Sequence, residues 1–180
     1  PAYAVYCGQQ NVATEPYVEG GKITARVDEE QKITHRNSFA KTANLAVGRL
    51  TARGDEAYAV QMRNVCGLLK FHFEKYDDIK TVVIEDMESG SLAGAVELAF
   101  DEDGIPYVVR VKTVKSAVSI SANGQSNSLG NSEAEELPAG YDYYACILPG
   151  TYKLKITMTR VCGQILVLEA ASAIEVERNR

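Results

Sequence analysis

Hydrophobic and polar residues alternate along most of this chain, and a period of two predicts β-strands. In Leu92–Phe100 the large apolar residues occupy even positions, whereas Glu97 falls on the opposite face. The alternation resumes at Ile105–Val111 after Asp103-Gly104, whose glycine accepts the positive φ of a tight turn. The two segments therefore predict a β-hairpin.

A second hairpin is predicted near the end of the sequence. Tyr152–Thr159 alternates apolar residues with lysine and threonine, turns near Cys162-Gly163 and returns through Ile165–Leu168. Before this hairpin, Tyr143–Leu148 predicts a strand that ends at Pro149-Gly150, because this dipeptide is a strong turn signal.

One long run, Tyr58–Phe73, changes its apolar parity from even to odd near Arg63–Asn64. The run exceeds the usual strand length of about 3–10 residues. A parity switch predicts a bulge or bend, where the chain can pass from one sheet to the other. Further strands are predicted at Ala2–Cys7, Ile23–Val27, Ile79–Glu85, Val114–Ser121 and Ala173–Glu177.

Many short strands separated by turn signals predict an all-β fold, specifically an antiparallel β-sandwich. The 180 residues are enough to bury a core without help from a metal or a disulfide. One short helix is predicted within Ser38–Val47, where alanine-rich sequence follows a serine. The Ser/Asn/Gly-rich stretch Ser121–Ser132 predicts a long surface loop.

The formal net charge of −5 gives no basic face, so neither nucleic acid nor an anionic membrane is an expected partner. No apolar run approaches the roughly 18 residues of a membrane-spanning helix. Because the chain begins at Pro1, we expect a mature or shortened chain from which an exporting signal is absent.

Catalytic and metal-binding chemistry finds little support in the sequence. The four cysteines, Cys7, Cys66, Cys146 and Cys162, form no C-x-x-C pair, and we expect thiols rather than a structural disulfide or a zinc site. Cys66 and His72 share one strand, and six residues separate them by roughly 20 Å, too far for a catalytic pair. Asp101–Gly104 has adjacent carboxylates, which favours a hairpin turn over a calcium loop. We therefore expect no enzyme activity, no cofactor and no metal.

Three tyrosines close together, Tyr141, Tyr143 and Tyr144, form a candidate aromatic platform for sugars. The alternative, which the sequence favours, is that Tyr143 or Tyr144 packs inward while the other caps a sheet edge. A carbohydrate- or ligand-binding module at the cell surface is thus one hypothesis for the function.

Several strand motifs resemble those of the fimbrillin-like surface proteins of Bacteroidales. Asn64–Phe71, with the sequence NVCGLLKF, looks like the family's strand N-V-C-G-L-L-K-[FL], and Tyr144–Tyr152 is similar to its Y-x-x-[LV]-P-P-G-T-Y, with one proline instead of two. Tyr3–Tyr6 is similar to its Y-A-V-Y-P strand, with Cys7 at the proline position. Phe39–Lys41, Ile79–Ile84 and Leu92–Gly94 continue the match in order.

The resemblance implies a transthyretin-like, fimbrillin-type sandwich in which residues 1–52 end an N-terminal β domain and residues 53–180 form the C-terminal one. It also implies a secreted lipoprotein of the outer membrane that serves cell adhesion as a shaft, accessory or anchor subunit of fimbriae. Its partners would be other subunits, joined by β-augmentation, and host or bacterial surface glycans or proteins. Val5 and Val176, in the terminal strands, are the candidate assembly residues.

Overall fold

The computed structural model describes residues 2–7, 17–54, 57–123 and 136–178, and these form an all-β protein without a helix. The strands of this part are β1 (Tyr3–Tyr6), β2 (Tyr17–Glu19), β3 (Lys22–Val27), β4 (Glu30–Ile33), β5 (Ser38–Phe39), β6 (Ala46–Ala52), β7 (Tyr58–Val60), β8 (Arg63–Asn64), β9 (Gly67–His72), β10 (Ile79–Asp86), β11 (Gly94–Phe100), β12 (Pro106–Val111), β13 (Ala117–Ala122), β14 (Asp142–Ile147), β15 (Gly150–Tyr152), β16 (Leu154–Arg160), β17 (Ile165–Glu169) and β18 (Ile174–Val176).

The largest sheet has five strands in the order β17-β16-β10-β13-β4. Its β16–β17 hairpin confirms the second predicted hairpin, with Thr157 opposite Val167. The pairs within the sheet are antiparallel except that β4 runs parallel to β13. The large apolar residues of β10 and β13 that face the core, such as Val82, Ile84 and Ile120, are fully buried.

A four-stranded sheet in the order β12-β11-β3-β2 contains the first predicted hairpin, β11–β12. Its turn is closed by Asp101, whose carboxylate oxygen Oδ1 accepts a hydrogen bond of 2.7 Å from the Ile105 amide. Gly104 takes a φ of 72°, which confirms the predicted role of the glycine in this turn.

A three-stranded sheet in the order β5-β14-β9 packs against the five-stranded sheet, since β5 contacts β4 and β14 contacts β13. Two smaller groups, β1-β6-β7 with β8, and β15-β18, complete the described part. The long run at residues 58–73 is divided as predicted. Its segments β7 and β8 pair with β6, whereas β9 pairs with β14 in the three-stranded sheet.

One cluster of buried side chains joins these sheets, and it contains Ile23 and Val47 together with Ile84 and Ile147. Strands β3, β4 and β5 pair with β11, β13 and β14, respectively. Strands on both sides of the predicted boundary at residues 52 and 53 thus share sheets, and the division into two domains stays a prediction.

The predicted short helix within Ser38–Val47 is wrong. The segment forms β5, a single turn in which the Ala43 amide donates to the Ala40 carbonyl, and the start of β6. Alanine has the highest intrinsic helix propensity, but propensity is a weak determinant of structure, and here tertiary pairing of Ala46 and Val47 with β1 and β8 outweighs it. The described residues contain no helix that is long and apolar enough to span a membrane.

Candidate functional site

An open apolar groove of about 440 Å³ lies between β9 and the β16–β17 hairpin. It lies at one side of the packed sheets, where side chains of the five-stranded sheet are left without a strand opposite them. Its apolar lining consists of Phe71, Phe73, Tyr76, Ile156, Met158 and Leu168.

The unequal width of the two packed sheets explains why the groove is open. The three-stranded sheet begins with β5 beside β4 and ends with β9, so its strands do not extend over β16 and β17. Side chains become more exposed from β10 towards the edge strand β17. Ile84 of β10 is fully buried, Ile156 of β16 is half-buried, and Leu168 of β17 is 58% exposed. These three residues are neighbours across the sheet.

Two strand edges border the groove. Among the described strands, β9 pairs with β14 on one side only, and β17 pairs with β16 on one side only. The start of β9 is covered, because Gly67 lies against Val176 and the Glu177 carbonyl, so closely that a Cβ atom would overlap them. The uncovered part of β9 is its second half, which carries Phe71.

Charged side chains fix the outer face of β9 beside the groove. Asp142 of β14 receives Lys70 Nζ at 2.7 Å on Oδ2 and His72 Nδ1 at 2.7 Å on Oδ1. The hydrogen bonds from Lys70 and His72 lower the pKa of the Asp142 carboxyl. The Asp142 amide also donates to Asn37 Oδ1 at 2.9 Å. These contacts hold β9 against β14 while its opposite edge stays open.

The structure separates the three candidate tyrosines. Tyr143 is fully buried, its ring stacks on Phe73, and its hydroxyl donates to the Pro138 carbonyl at 2.8 Å. Burial raises the pKa of Tyr143 to about 12. Tyr144 and Tyr141 are half-buried, and the Arg36 guanidinium lies 4.3 Å from the centre of the Tyr141 ring. The three residues therefore do not form a single platform.

The two candidate assembly residues lie in paired strands. Val5 is half-buried in β1, opposite Val47 of β6. Val176 is buried in β18, opposite Gly150 of β15. Both strands are short, at four and three residues.

The remaining candidates for chemistry are dispersed. Cys66 and Cys146 are buried thiols, and Cys162 is exposed in the β16–β17 turn. Burial raises the pKa of the Cys66 thiol to about 12 and also raises that of Cys146. Among the described residues, no group of three or more His, Cys, Asp or Glu side chains is arranged to hold a metal ion. Most of the predicted loop Ser121–Ser132 lies outside the described residues.

The groove does not follow from the sequence pattern. Its apolar residues other than Tyr76 lie in predicted strands, and the alternation alone does not show that they line an open groove. One sequence feature could have indicated exposed apolar surface at this side of the sheet, namely the continuous apolar run of β17. Such a run is unusual for a strand that packs on one face only.

The whole chain was compared with models of known protein families, with curated proteins and with solved structures. None of the three comparisons finds a match. The resemblance to fimbrillin-like proteins therefore stays a prediction, and the functional argument rests on the groove and its two strand edges.

Proposed function

We propose that this protein is a structural subunit of bacterial surface fimbriae, or an accessory or anchor component of them, assembled by β-strand exchange. The observation that carries the proposal is the apolar groove between β9 and the β16–β17 hairpin, bordered by the open edge of β9. The proposal includes a transthyretin-like sandwich as the fold and the outer membrane as the location, reached as a secreted lipoprotein.

An extended segment from a neighbouring subunit fits this groove in a defined way. Its backbone would hydrogen-bond to the outer edge of β9 and thereby extend the three-stranded sheet by one strand. Every second side chain of the inserted segment would then point inward and cover Phe71, Ile156 and Met158. Main-chain bonds supply affinity, and the apolar contacts fix the register.

The terminal strands are the proposed source of the exchanged segment. β1 and β18 carry Val5 and Val176, and their short ladders make them less costly to release than the long central strands. Once released, the strand would insert into the groove of a neighbouring subunit. Its valine would then lie at an inward position and contact the apolar side chains of that groove. Cell adhesion follows when subunits joined in this way extend from the surface.

The test is an immunoblot of the native protein from the cells that produce it, with samples either left unheated or boiled in SDS. We expect a high-mass ladder in the unheated lane that collapses to one band on boiling. Ile156→Lys introduces a charge into the groove and should abolish the ladder. Thr157→Lys, on the opposite face of the same strand, is the matched control and should retain it.

Two results would contradict the proposal. One is a single monomer band from the wild-type protein in both lanes. The other is a normal ladder from Ile156→Lys, with a far-UV circular dichroism spectrum that shows the variant to be folded. In either case the groove would not be the acceptor of an exchanged strand.

A non-catalytic role is part of the proposal, and the state of the buried Cys66 thiol supports it. The raised pKa of Cys66, which burial causes, keeps this thiol protonated at neutral pH. A nucleophilic cysteine needs the thiolate form and a nearby base. His72 instead bonds to Asp142 on the outer face of β9.

A second candidate function is binding of a surface glycan beside β14. The observation that favours it is the half-buried Tyr141 ring with Arg36 against its face. Saturable binding on a glycan array should then be lost in Tyr141→Ala and kept in Tyr107→Ala, an exposed tyrosine of β12. Equal binding by both variants would exclude this site.

A further inference from the structure

The edge strand β17 exposes more apolar surface than its position at the end of a sheet requires. Ile165 is 61%, Val167 50% and Leu168 58% exposed, and these residues belong to four consecutive apolar positions. An exposed apolar edge strand is a template for pairing with another strand, because its outward N–H and C=O groups lack a ladder partner.

The hydrogen bonds at the two ends of the hairpin show which backbone groups of β17 point outward. The Arg160 amide donates to the Gln164 carbonyl at 2.9 Å, and the Ala170 amide donates to the Leu154 carbonyl at 2.8 Å. In an antiparallel pair, hydrogen-bonded and non-hydrogen-bonded residues alternate. Ile165, Val167 and Glu169 are therefore the residues whose N–H and C=O groups point away from β16. They form a regular row along the open edge.

Two other sheet edges carry features that discourage pairing, and the edge strands β1 and β7 are only four and three residues long, whereas β17 has few such protections. β12 begins with Pro106 and contains a bulge opposite Glu97 and Leu98. β4 carries Glu30 and Lys32. Proline, bulges and charged side chains are the common protections of edge strands. From Ile165 to Leu168, β17 has none of these, which indicates that the edge is covered when the protein functions.

We propose that β17 pairs with β17 of a second copy of this chain, antiparallel and across a two-fold axis at Val167. In this register the outward groups of Val167 meet those of Val167 in the second copy, and those of Ile165 meet those of Glu169. Each such pair exchanges both of its hydrogen bonds. Leu166 lies opposite Leu168 of the second copy, so apolar side chains meet apolar side chains on the groove face.

The self-complementary pattern selects a second copy as the occupant. A two-fold axis at Val167 uses every outward group from Ile165 to Glu169. An axis shifted by one residue to Leu166 would place Glu169 opposite Gly163, which lies in the hairpin turn. A closed two-fold contact also stops after one partner, so it protects this edge without producing a fibre along it.

This dimer is separate from strand exchange. A segment inserted in the groove pairs with β9, and it leaves the outward groups of β17 unpaired. The β17 contact instead joins two five-stranded sheets edge to edge into one continuous sheet. The contact is short, so we expect a weak dimer whose population rises with protein concentration.

Disulfide trapping tests the register. In a Cys162→Ser background, Val167→Cys places each new thiol opposite its own equivalent. The Cα atoms of a hydrogen-bonded antiparallel pair lie about 5.5 Å apart, within the roughly 4.4–6.8 Å that a disulfide spans. Ile165→Cys is the matched control, because its equivalent lies four residues away along the strand, roughly 13 Å. The Cys162→Ser parent, without a new cysteine, shows how much covalent dimer the remaining cysteines form.

On oxidation with diamide, we expect Val167→Cys to form a covalent dimer at least about tenfold faster than Ile165→Cys. Equal rates for the two variants, or no dimer from Val167→Cys above the parent, would overturn the proposal.

A second measurement needs no new cysteine. In sedimentation velocity at rising protein concentration, wild type and Thr157→Lys should dimerise. Val167→Lys should stay monomeric, because it places two lysines opposite each other. A wild type that remains monomeric, or a Val167→Lys that dimerises like wild type, would also refute it.

Discussion

A buried glutamine joins the two packed sheets, and its removal gives the sharpest stability prediction. Gln31 of β4 is 1% exposed. Its side-chain Nε2 donates to the carbonyls of Cys146 at 2.6 Å and Asp28 at 3.0 Å, and its Oε1 accepts from the Cys146 amide at 2.9 Å. β5 pairs with β14 only at Tyr143 and Tyr144. Past Tyr144, the side-chain amide of Gln31 makes the hydrogen bonds with the β14 backbone that a neighbouring strand would otherwise make.

Gln31→Met keeps the length of the side chain and removes all three hydrogen bonds. The Cys146 amide and carbonyl are then left in the core without partners, and each such group costs about 1–3 kcal/mol. The better burial of the thioether offsets part of this cost. We expect the free energy of unfolding to fall by about 3 kcal/mol, or the melting temperature by roughly 10 °C for a chain of this size.

The assay is urea unfolding followed by far-UV circular dichroism and by tyrosine fluorescence, which the ten tyrosines make practical. Gln61→Met is the matched control, because Gln61 is exposed and bonds only to Arg63 in the described structure. It should change stability by less than about 0.5 kcal/mol. A Gln31→Met protein as stable as this control would refute the claim that Gln31 replaces a strand beside β14.

Three further predictions concern other parts of the fold. Gly94→Ala should be poorly folded, because Gly94 has a φ of 117° and a Cβ atom would overlap the Thr113 carbonyl; Gly104→Ala, with open space around it, should lose only about 1 kcal/mol in thermal unfolding. Tyr143→Phe removes the hydrogen bond to Pro138 and should cost about 1 kcal/mol in urea unfolding, whereas Tyr107→Phe should be neutral. For Glu29, burial raises the pKa, but hydrogen bonds from Lys115 and Arg26 outweigh it and hold the pKa at about 2. Because this pKa is below the unfolded value, the stability that Glu29 contributes is present above about pH 4.5 and is lost as pH falls toward 2. Glu29→Gln should therefore show a shallower loss of stability between these pH values, and a profile parallel to that of wild type would contradict the assignment.

Local sequence patterns predicted the hairpins well because the residues that determine a hairpin lie close together in the chain. In β11–β12 and β16–β17 the alternation and the turn lie within about twenty residues, and strand pairing follows directly. The parity switch at Arg63–Asn64 correctly indicated a break, since β7 and β8 pair with β6 whereas β9 pairs with β14. The even-numbered apolar residues of the first half do not face the core, because Tyr58, Val60 and Met62 are exposed. The inward position of Tyr143 follows from the same parity as that of Ala145 and Ile147.

The elements that sequence analysis missed depend on contacts between distant residues. β4 has the sequence EQKI, and nothing local shows that its glutamine is buried against Cys146, 115 residues away. β6 begins with Ala46 in an alanine-rich stretch, and its pairing with β1 and β8 decides its conformation. The two parallel pairs, β4–β13 and β5–β14, likewise join segments far apart in the chain. Propensity and periodicity carry no information about such partners.

The β17 strand shows how a sequence can indicate a partner that the single chain does not supply. Ile165 and Val167 are on one face and Leu166 and Leu168 are on the other, so the strand is apolar on both faces. A strand at the edge of an antiparallel sheet normally needs only one apolar face, and continuous apolar sequence is typical of strands covered on both sides. Within the described structure, neither face of β17 is fully covered. A second copy beside β17 would satisfy the open backbone edge, and it would set Val167 beside Val167 and Leu166 beside Leu168 as cross-strand apolar pairs. This is the reason to look for the missing strand in a second copy of the chain.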